Sequence, residues 1–341
     1  MTPDQLLLVA GRHPLAHAVS AGLRAARVPE GAAVVLAASG GADSMALLAV
    51  GAALHARGRL RAVAVHVDHG LRPESHAEGT LVERAAHALG VPMVRCTLQL
   101  TRGANLAARA RRARYQALAR AAAEAGSQWI ATAHHADDQL ETMLLAMARG
   151  TGLRGLGGMR VRRRLPAPSA HGPVWVVRPL LHVPRADLRA ACAAWGLAWA
   201  EDPTNTNLAS PRARVRAQVT PVLDALAPGA ATRAARTAAM AQWGAAELRR
   251  QAAELAVHAQ EDRGWNRSVL RAAPLPVLAE FVRRHAQVAP RRVPGALAWE
   301  VALAIKQPGG KARTWHVAPG VQLRLGARTY GCGGGGCRQR S

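Results

Sequence analysis

Short apolar runs alternate with longer amphipathic stretches along the first 150 residues. Four runs have the length and the Val, Ala and Leu content of buried strands, and they lie at 32–39, 60–68, 91–100 and 128–135. Each is followed by a stretch typical of a helix, at 45–58, 76–90, 105–126 and 137–150. Alternation of this kind predicts an α/β fold with a parallel sheet and helices on both faces. Ligands of such sheets bind at the carboxyl ends of the strands.

The pattern changes after about residue 217. Alanine- and arginine-rich helical stretches follow, and then short alternating strands around the turn signal Pro319-Gly320. We expect an α/β domain over 1–216, a helical arm with a small α+β domain over 217–330, and a flexible glycine-rich tail over 331–341. The four cysteines form no C-x-x-C pair, which suits a reducing compartment, and Cys332 and Cys337 flank glycines of the tail.

The net charge of the chain predicts a polyanionic partner. Lysine and arginine together number 45 against 21 acidic residues, which gives a formal net charge of +24. Arginine carries almost all of the positive charge, and its planar fork matches phosphates. Nucleic acid is the simplest partner for such a chain, although a codon bias toward arginine is an alternative source of part of the excess. No charge-free run reaches the ~20 residues of a membrane span, and we find no signal peptide, so we expect a cytoplasmic protein.

The segment S-G-G-A-D-S (39–44) joins the first strand to its helix. Its glycines let the backbone approach an anion, and the N–H groups at the helix N-terminus can cradle a phosphate. The hydroxyls of Ser39 and Ser44 add donors. Asp43 would repel a phosphate unless Mg²⁺ lies between them, so its carboxylate is a candidate Mg²⁺ ligand. The alternative is an ordinary turn with Asp43 or Ser44 as the helix N-cap.

Acidic residues follow the fourth strand in HHADDQLET. Asp138 and Glu141 are three residues apart and share one helix face. Carboxylates here can hold Mg²⁺, an ammonium group or both, while His134 and His135 can position a phosphate or a base. An N-cap role for Asp137 or Asp138 explains one aspartate, but it does not explain Glu141 one turn into the helix.

Two further motifs contain basic residues or histidines. Arg111 and Arg114 share a face of the third helix in ARRARY and can neutralise a phosphate of a nucleotide or of RNA, although a solvated basic face is an alternative. The segment HVDHGLR (66–72) begins at His66 and ends the second strand with Asp68, His69 and Arg72; an ordinary polar turn is the alternative.

Taken together, these motifs resemble the tRNA(Ile)-lysidine synthetase family, which belongs to the N-type ATP pyrophosphatases of the PP-loop superfamily. S-G-G-x-D-S is the pyrophosphate loop shared by the superfamily. The segments that narrow the match to the family are VHVDHGLRPES, ARRARY, TAHHADDQLET, RGTGLRGLGGM, RPLL and WAEDPTNTNLASPRARVR. The resemblance covers about residues 32–220 and recurs weakly at 309–325.

The resemblance implies an ATP-dependent C–N ligase. It would join free L-lysine to C2 of the wobble cytidine in the CAU anticodon of tRNA(Ile), through an adenylated base, with release of pyrophosphate and AMP. Codon specificity would change from AUG to AUA.

Residue roles follow from the same resemblance. The implied ATP-binding residues are Ser39, Gly40, Gly41, Ala42, Asp43, Ser44, His66 and His134. Asp138 and Glu141 would bind lysine, and they would act in catalysis with Asp43, Arg111 and Arg114. The basic triplet Arg212, Arg214 and Arg216 stands where the family tends to show R-N-R-I-R, and it would contact tRNA.

Other functions remain open from the sequence. One is a tRNA modifier of the same superfamily that delivers sulfur, and another is a non-catalytic basic RNA-binding protein. Glu201 and Asp202 are a second place for the lysine pocket, and a homodimer is also open.

Overall fold

The computed structural model describes most of the chain. The described residues are 1–68, 70, 74–101, 103–166, 172–201, 208, 210–262, 264–285, 293–308, 312–318, 321–326 and 328–333. Predictions that fall outside them concern His69, Arg72, Asp202, Pro319, Gly320, Cys337, the side chain of Cys332 and residues 334–341 of the expected tail.

The chain divides into two compact units. The first consists of residues 1–148 and 158–238, and the second of residues 149–157 and 239–341. The functional domain limits expected from the sequence, 1–216, 217–330 and 331–341, stay a prediction.

Helices and strands alternate in the first unit and are more segregated in the second. The helices, in chain order, are α1 Pro3–Arg12, α2 Pro14–Ala25, α3 Ala42–Ala56, α4 Glu74–Ala88, α5 Leu106–Glu124, α6 Ala136–Met147, α7 Leu153–Leu156, α8 Arg185–Ala194, α9 Pro211–Arg214, a π-helical turn Val215–Val219, α10 Thr220–Leu226, α11 Ala230–Ala259, α12 Arg267–Ala272, α13 Leu275–His285 and α14 Gly295–Lys306. The strands are β1 Ala33–Ala37, β2 Arg61–Asp68, β3 Met93–Thr97, β4 Trp129–Ala131, β5 Arg162–Arg164, β6 Trp175–Val177, β7 Gln260–Glu261, β8 Gly264–Asn266, β9 Arg313–Ala318, β10 Val321–Leu325 and β11 Thr329–Gly333.

A six-stranded sheet forms the centre of the first unit, in the order β3-β2-β1-β4-β6-β5. Neighbouring strands are parallel except for β5, which runs antiparallel to β6 at the edge. The chain runs outward from β1 to β3 and then returns to the other side of β1 as β4. The carboxyl ends of β1 and β4 therefore flank the point where strand order reverses, which is where ligands of such sheets bind. The predicted α/β sheet is confirmed.

Both faces of this sheet are covered, as the two-residue period of β1 shows. Val34 and Leu36 belong to the cluster that includes α3, whereas Val35 belongs to a second cluster with Tyr115 and Leu118 of α5. Helix α3 is apolar on all sides and buried as far as Leu54, because it lies between the sheet and helices α1 and α8.

The second unit contains an antiparallel sheet in the order β7-β8-β11-β10-β9. Its core is formed by α12, α13, α14 and the carboxyl-terminal part of α11 against β10 and β11. The predicted short strands are thus present, and β11 takes in residues 331–333 of the segment expected to be a tail. No helix within the described ranges combines the length and apolar character needed to span a membrane.

An aromatic cluster in the second unit carries a titratable ring. His285 packs against Phe281 with ring centroids 4.7 Å apart and against Trp265 at 5.0 Å. Burial, together with the charge of Arg284, lowers the pKa of His285 to about 4. The ring is therefore neutral in the folded protein, while the unfolded chain takes up a proton below about pH 6.5.

We expect this histidine to weaken the fold in acid. Stability from a lowered histidine pKa is complete above pH 6.5 and is lost as the pH falls toward 4. Because the ring is partly exposed, the expected loss is about 1–2 kcal/mol rather than the full value of the shift. Denaturant unfolding of wild type and His285→Phe at pH 7 and pH 4 measures this loss. The difference in free energy of unfolding between the two proteins should change by about 1–2 kcal/mol from pH 7 to pH 4. The same change at exposed His258 is the control, and equal pH profiles for wild type and His285→Phe would contradict the prediction.

Candidate functional site

The loop after β1 presents an open helix N-terminus. Gly41 is the N-cap of α3 and no side chain caps the helix there, so the expected alternative of an Asp43 or Ser44 cap is wrong. The Ser44 hydroxyl donates to the Gly41 carbonyl at 2.8 Å and accepts the Ser39 N–H at 3.1 Å, which fixes the turn. Gly40 adopts φ +90°, a conformation that favours glycine. The free N–H groups of the first turn can therefore bind an anion.

Asp43 lies in the first turn of α3 with one oxygen unsatisfied. Its Oδ1 atom is buried and has no hydrogen-bond partner among the described residues. A buried, unpaired carboxylate oxygen calls for a cation, and Mg²⁺ commonly binds through one or two carboxylates plus substrate phosphates. Among the described residues, no group of three or more His, Cys, Asp or Glu side chains is arranged to hold a metal ion by itself. The residues thus fit an ion that Asp43 would hold together with nucleotide phosphates.

A buried histidine joins three aspartates beside this loop. His135 Nε2 lies 3.4 Å from Asp43 Oδ2 and 3.5 Å from Asp138 Oδ2, and Nδ1 lies 3.5 Å from Asp137 Oδ2. Burial opposes a charge on the ring, but hydrogen bonds with Asp137 and Asp43 and the charges of Asp138 and Asp43 raise the pKa of His135 to about 9. Nδ1 also faces the Asp138 N–H at 3.4 Å, a long bond that the charged ring gives up in favour of Asp137. His135 is therefore an imidazolium that holds the carboxylates together.

Helix α6 is ordered by the same residues. His135 is its N-cap, and its N–H donates to Asp138 Oδ2 at 3.1 Å. Asp137 instead accepts the N–H of Arg185 at 2.8 Å, which ties α6 to the start of α8. An N-cap role for either aspartate is therefore wrong, since His135 occupies the N-cap position.

Two acids and two arginines form an ion cluster, which we call the acid–arginine cluster. Its members are Asp138 and Glu141 of α6, Arg212 of α9 and Arg216 of the π-helical turn. Arg212 Nε donates to Glu141 Oε2 at 2.6 Å and its Nη2 to Asp138 Oδ1 at 2.7 Å. Arg216 Nε donates to Glu141 Oε1 at 2.6 Å. Glu141 is 1 % exposed at its side chain, so both of its oxygens are neutralised by guanidinium groups inside the protein.

The pKa of Asp138 follows from this setting. Burial opposes ionisation of the carboxyl, but the positive charge of His135, the charge of Arg212 and the N–H of His135 lower its pKa. Asp138 therefore stays ionised and suits the binding of a cation better than the acceptance of a proton.

The loop 39–44 after β1, which we call the phosphate loop, and the acid–arginine cluster open onto one cavity of about 520 Å³. Its lining also includes His66, His134 and Arg114. The ring of His66 is buried and its Nδ1 is 2.9 Å from the Ala38 carbonyl oxygen. Burial and the charges of Arg178 and Arg114, against the opposing charge of Asp138, lower the pKa of His134, so its ring is neutral in the cavity wall.

Some of the residues predicted for the site line this cavity, and others do not. The cavity lining contains Ser39, Gly41, Asp43, Ser44, His66, His134, Asp138, Arg114, Arg212 and Arg216. The described residues Gly40, Ala42, Arg111, Glu141 and Arg214 are not part of it. Within the basic triplet, Arg212 and Arg216 are four residues apart and turn inward to the acids, whereas Arg214 is exposed.

Sequence reasoning missed the roles of several residues in this region. His135, rather than its neighbour His134, links the carboxylates, and the only signal was the pair of adjacent histidines. Arg163 and Arg178 approach Tyr115 of α5; no motif indicated Arg163, and Arg178 was part of the segment RPLL without a role of its own.

Comparisons with known proteins agree with the fold and the loop. A family model described as a PP-loop domain matches residues 16–223. The tRNA(Ile)-lysidine synthase of Salinispora arenicola is 46 % identical over 229 residues, covering 66 % of this chain and 67 % of that protein. The tRNA(Ile)-lysidine synthase of Alkalilimnicola ehrlichii is 44 % identical over 202 residues, covering 59 % of this chain and 44 % of that protein.

One solved structure shows a similar fold. The U34-tRNA thiolase NcsA from Methanococcus maripaludis, solved with its [4Fe-4S] cluster, matches with a TM-score of 0.51 and 16 % sequence identity. The match covers 66 % of this chain and 79 % of that one. At this identity the likeness concerns the fold alone.

Proposed function

We propose that this chain, which belongs to the PP-loop family and within it to the tRNA(Ile)-lysidine synthases, joins free L-lysine to the wobble cytidine of the CAU anticodon in tRNA(Ile). It is an ATP-using ligase, and we infer from its tRNA substrate that it acts in the cytoplasm. The observation that carries the proposal is that a phosphate-binding loop and an acid–arginine cluster open onto a single cavity.

The first step activates the base. The C2 carbonyl oxygen of the cytidine attacks the α-phosphorus of ATP, the bond to the β-phosphate oxygen breaks, and pyrophosphate leaves. The N–H groups at the start of α3 and the hydroxyl of Ser39 would stabilise the charge that develops on pyrophosphate, while the hydroxyl of Ser44 holds the turn through Gly41. Mg²⁺, held by Asp43 together with the phosphates, would supply further compensation for that charge when bound. Neutral His134 in the cavity wall can hydrogen-bond to a phosphate or to the base.

The second step replaces AMP by lysine. The neutral ε-amine attacks C2, the bond from C2 to the adenylated oxygen breaks, and AMP leaves with that oxygen while the nitrogen releases one proton to solvent. A cytosine oxygen is a poor leaving group, and transfer of AMP to that oxygen makes its departure feasible. Holding the amine and the base together supplies much of the rate through positioning.

Lysine would bind at the acid–arginine cluster. One of its two ammonium groups would take the place of a guanidinium on Asp138 or Glu141, since both carboxylates already bind cations in this structure. A guanidinium released in this way remains close enough to pair with the α-carboxylate of lysine, because free lysine carries both signs of charge. Arg212 and Arg216 would thus act at the lysine site, and exposed Arg214 is the member of the triplet available to RNA.

The sulfur-delivering alternative finds little support in the two cysteines whose side chains the structure describes. Burial raises the pKa of the Cys192 thiol to about 12, and burial together with Glu124 raises the pKa of Cys96. Neither thiol is ionised near neutral pH, as a sulfur carrier needs to be. A homodimer stays a prediction from the sequence.

Incorporation of labelled lysine into tRNA transcripts tests the function. We expect lysine to enter a tRNA(Ile) transcript with cytidine at the wobble position only when ATP is present, with one pyrophosphate released per lysine. The matched substrate differs only by uridine at that position and should take up none. Equal incorporation into both transcripts, or none into either, would contradict the proposal. tRNA binding without pyrophosphate release would favour a non-catalytic RNA-binding protein.

A further inference from the structure

Four arginines surround one tyrosine at the side of the first unit's sheet. The guanidinium carbons of Arg111, Arg114 and Arg163 lie 5.3, 5.4 and 5.3 Å from the centroid of the Tyr115 ring. Arg178, 3 % exposed, lies close enough to act on the same tyrosine, whose pKa the four arginines lower although burial opposes this. Two helix residues, an edge-strand residue and a buried arginine after β6 therefore converge; we call them the arginine ring.

The arginine ring has no acidic counterpart in the described part of the chain. The ion pairs formed by described residues join other arginines, and none includes a member of the ring. The Nε atoms of Arg114 and Arg178 are buried and lack a hydrogen-bond partner among the described residues. Contacts with the tyrosine face offset only part of the repulsion among these cations. Like charges held this closely repel one another, and an anion would relieve the repulsion.

The position of the ring distinguishes two sources of phosphate. Arg114 lines the cavity, and the charges of Arg178, Arg114 and Arg111 act on His134 in the cavity wall. Arg111 and Arg163 are exposed and do not line the cavity. The ring therefore begins at the nucleotide site and extends away from it onto the surface.

We propose that Arg111 and Arg163, spaced by the ring of Tyr115, bind a backbone phosphodiester of the RNA next to the nucleotide that enters the cavity. The proposal rests on the proposed function in taking tRNA as the partner. Arginine forks bind phosphate oxygens in a bidentate manner, and such contacts fix the register of the nucleic acid. β5 places Arg163 on this face because its register partner is Val176, which lies in the cluster under α5.

The test is the salt dependence of tRNA binding by Arg163→Gln. Loss of one phosphate contact should lower the slope of log affinity against log salt by about 0.7–0.9 and weaken binding about fivefold at 0.15 M salt. The control is Arg164→Gln, because the next residue of β5 is also exposed but points to the opposite face; its slope should equal that of the wild type. Arg163→Lys keeps the charge and should restore most of the slope.

Two results would overturn the proposal. One is an unchanged slope in Arg163→Gln. The other is a raised Michaelis constant for ATP in that variant with unchanged tRNA binding, which would assign the ring to the nucleotide. If the wild type made no lysidine while Arg163→Gln still lowered the slope, the proposed function would fail and the phosphate site would stand.

Discussion

Asp43→Ala removes AMP transfer to tRNA while tRNA binding stays within about twofold of wild type. The reason is local, since Asp43 lies in the first turn of α3 with a buried, unpartnered Oδ1 and is assigned to the cation that accompanies the phosphates. Loss of one such electrostatic group at a reacting phosphate lowers turnover by at least about 10²–10³-fold. ATP–pyrophosphate exchange in the presence of tRNA measures the step. ATP binding by the variant should also lose most of its dependence on Mg²⁺ concentration.

Asp187→Ala is the matched control for this variant. Asp187 is likewise an acid in the first turn of a helix of the same unit, but it is exposed and does not line the cavity. Its substitution should leave exchange unchanged. Wild-type exchange in Asp43→Ala would remove the aspartate from the chemistry and would leave His135 as the sole reason for its burial.

The sequence predicted the parts of the fold that local pattern controls. Strands β1 to β4 and the helices after them were predicted because each is long or apolar enough to be seen in one window. β5 and β6 were missed because each is only three residues long. β5 consists of three arginines, Arg162–Arg164, and forms a strand only by pairing with β6. Helices α1 and α2 were not predicted either, although each has a buried apolar face, with residues such as Leu6 and Leu15 in the core that includes α3.

In the candidate site, too, features formed by adjacent residues could be predicted and contacts between distant segments could not. The loop 39–44 could be predicted because a strand, glycines and a helix start are adjacent in sequence. The pairing of Glu141 with Arg212 and Arg216 could not, because the partners are 71 and 75 residues apart. Arg212 and Arg216 are four residues apart and so share a helix face, but only the packing of α9 and the π-helical turn against α6 directs that face inward. The basic triplet was therefore interpreted as an RNA contact, whereas two of its members neutralise buried acids.

Glu141→Gln raises the Michaelis constant for lysine about tenfold to a hundredfold and leaves AMP transfer intact. The change keeps the size of the side chain and removes its charge. One paired charge in a partly buried site contributes ~1.5–3 kcal/mol to binding, which corresponds to this range. Steady-state kinetics with lysine as the varied substrate measure it. When lysine is scarce, tRNA carrying an adenylated base should accumulate, because the first step needs ATP and the base but no lysine.

Two comparisons separate a lysine site from a purely structural acid. Arg212 and Arg216 are 38 % and 29 % exposed, so they can rehydrate when Glu141 loses its charge, and a thermal melt should show the variant folded. Glu201→Gln makes the same change at an exposed acid that pairs with Arg189, and it should leave lysine saturation unchanged. If Glu141→Gln instead stopped AMP transfer with normal lysine saturation, the acids of α6 would belong to the ATP site. A raised lysine constant in Glu201→Gln would then place the amino-acid pocket beside Ala200, which lines the same cavity.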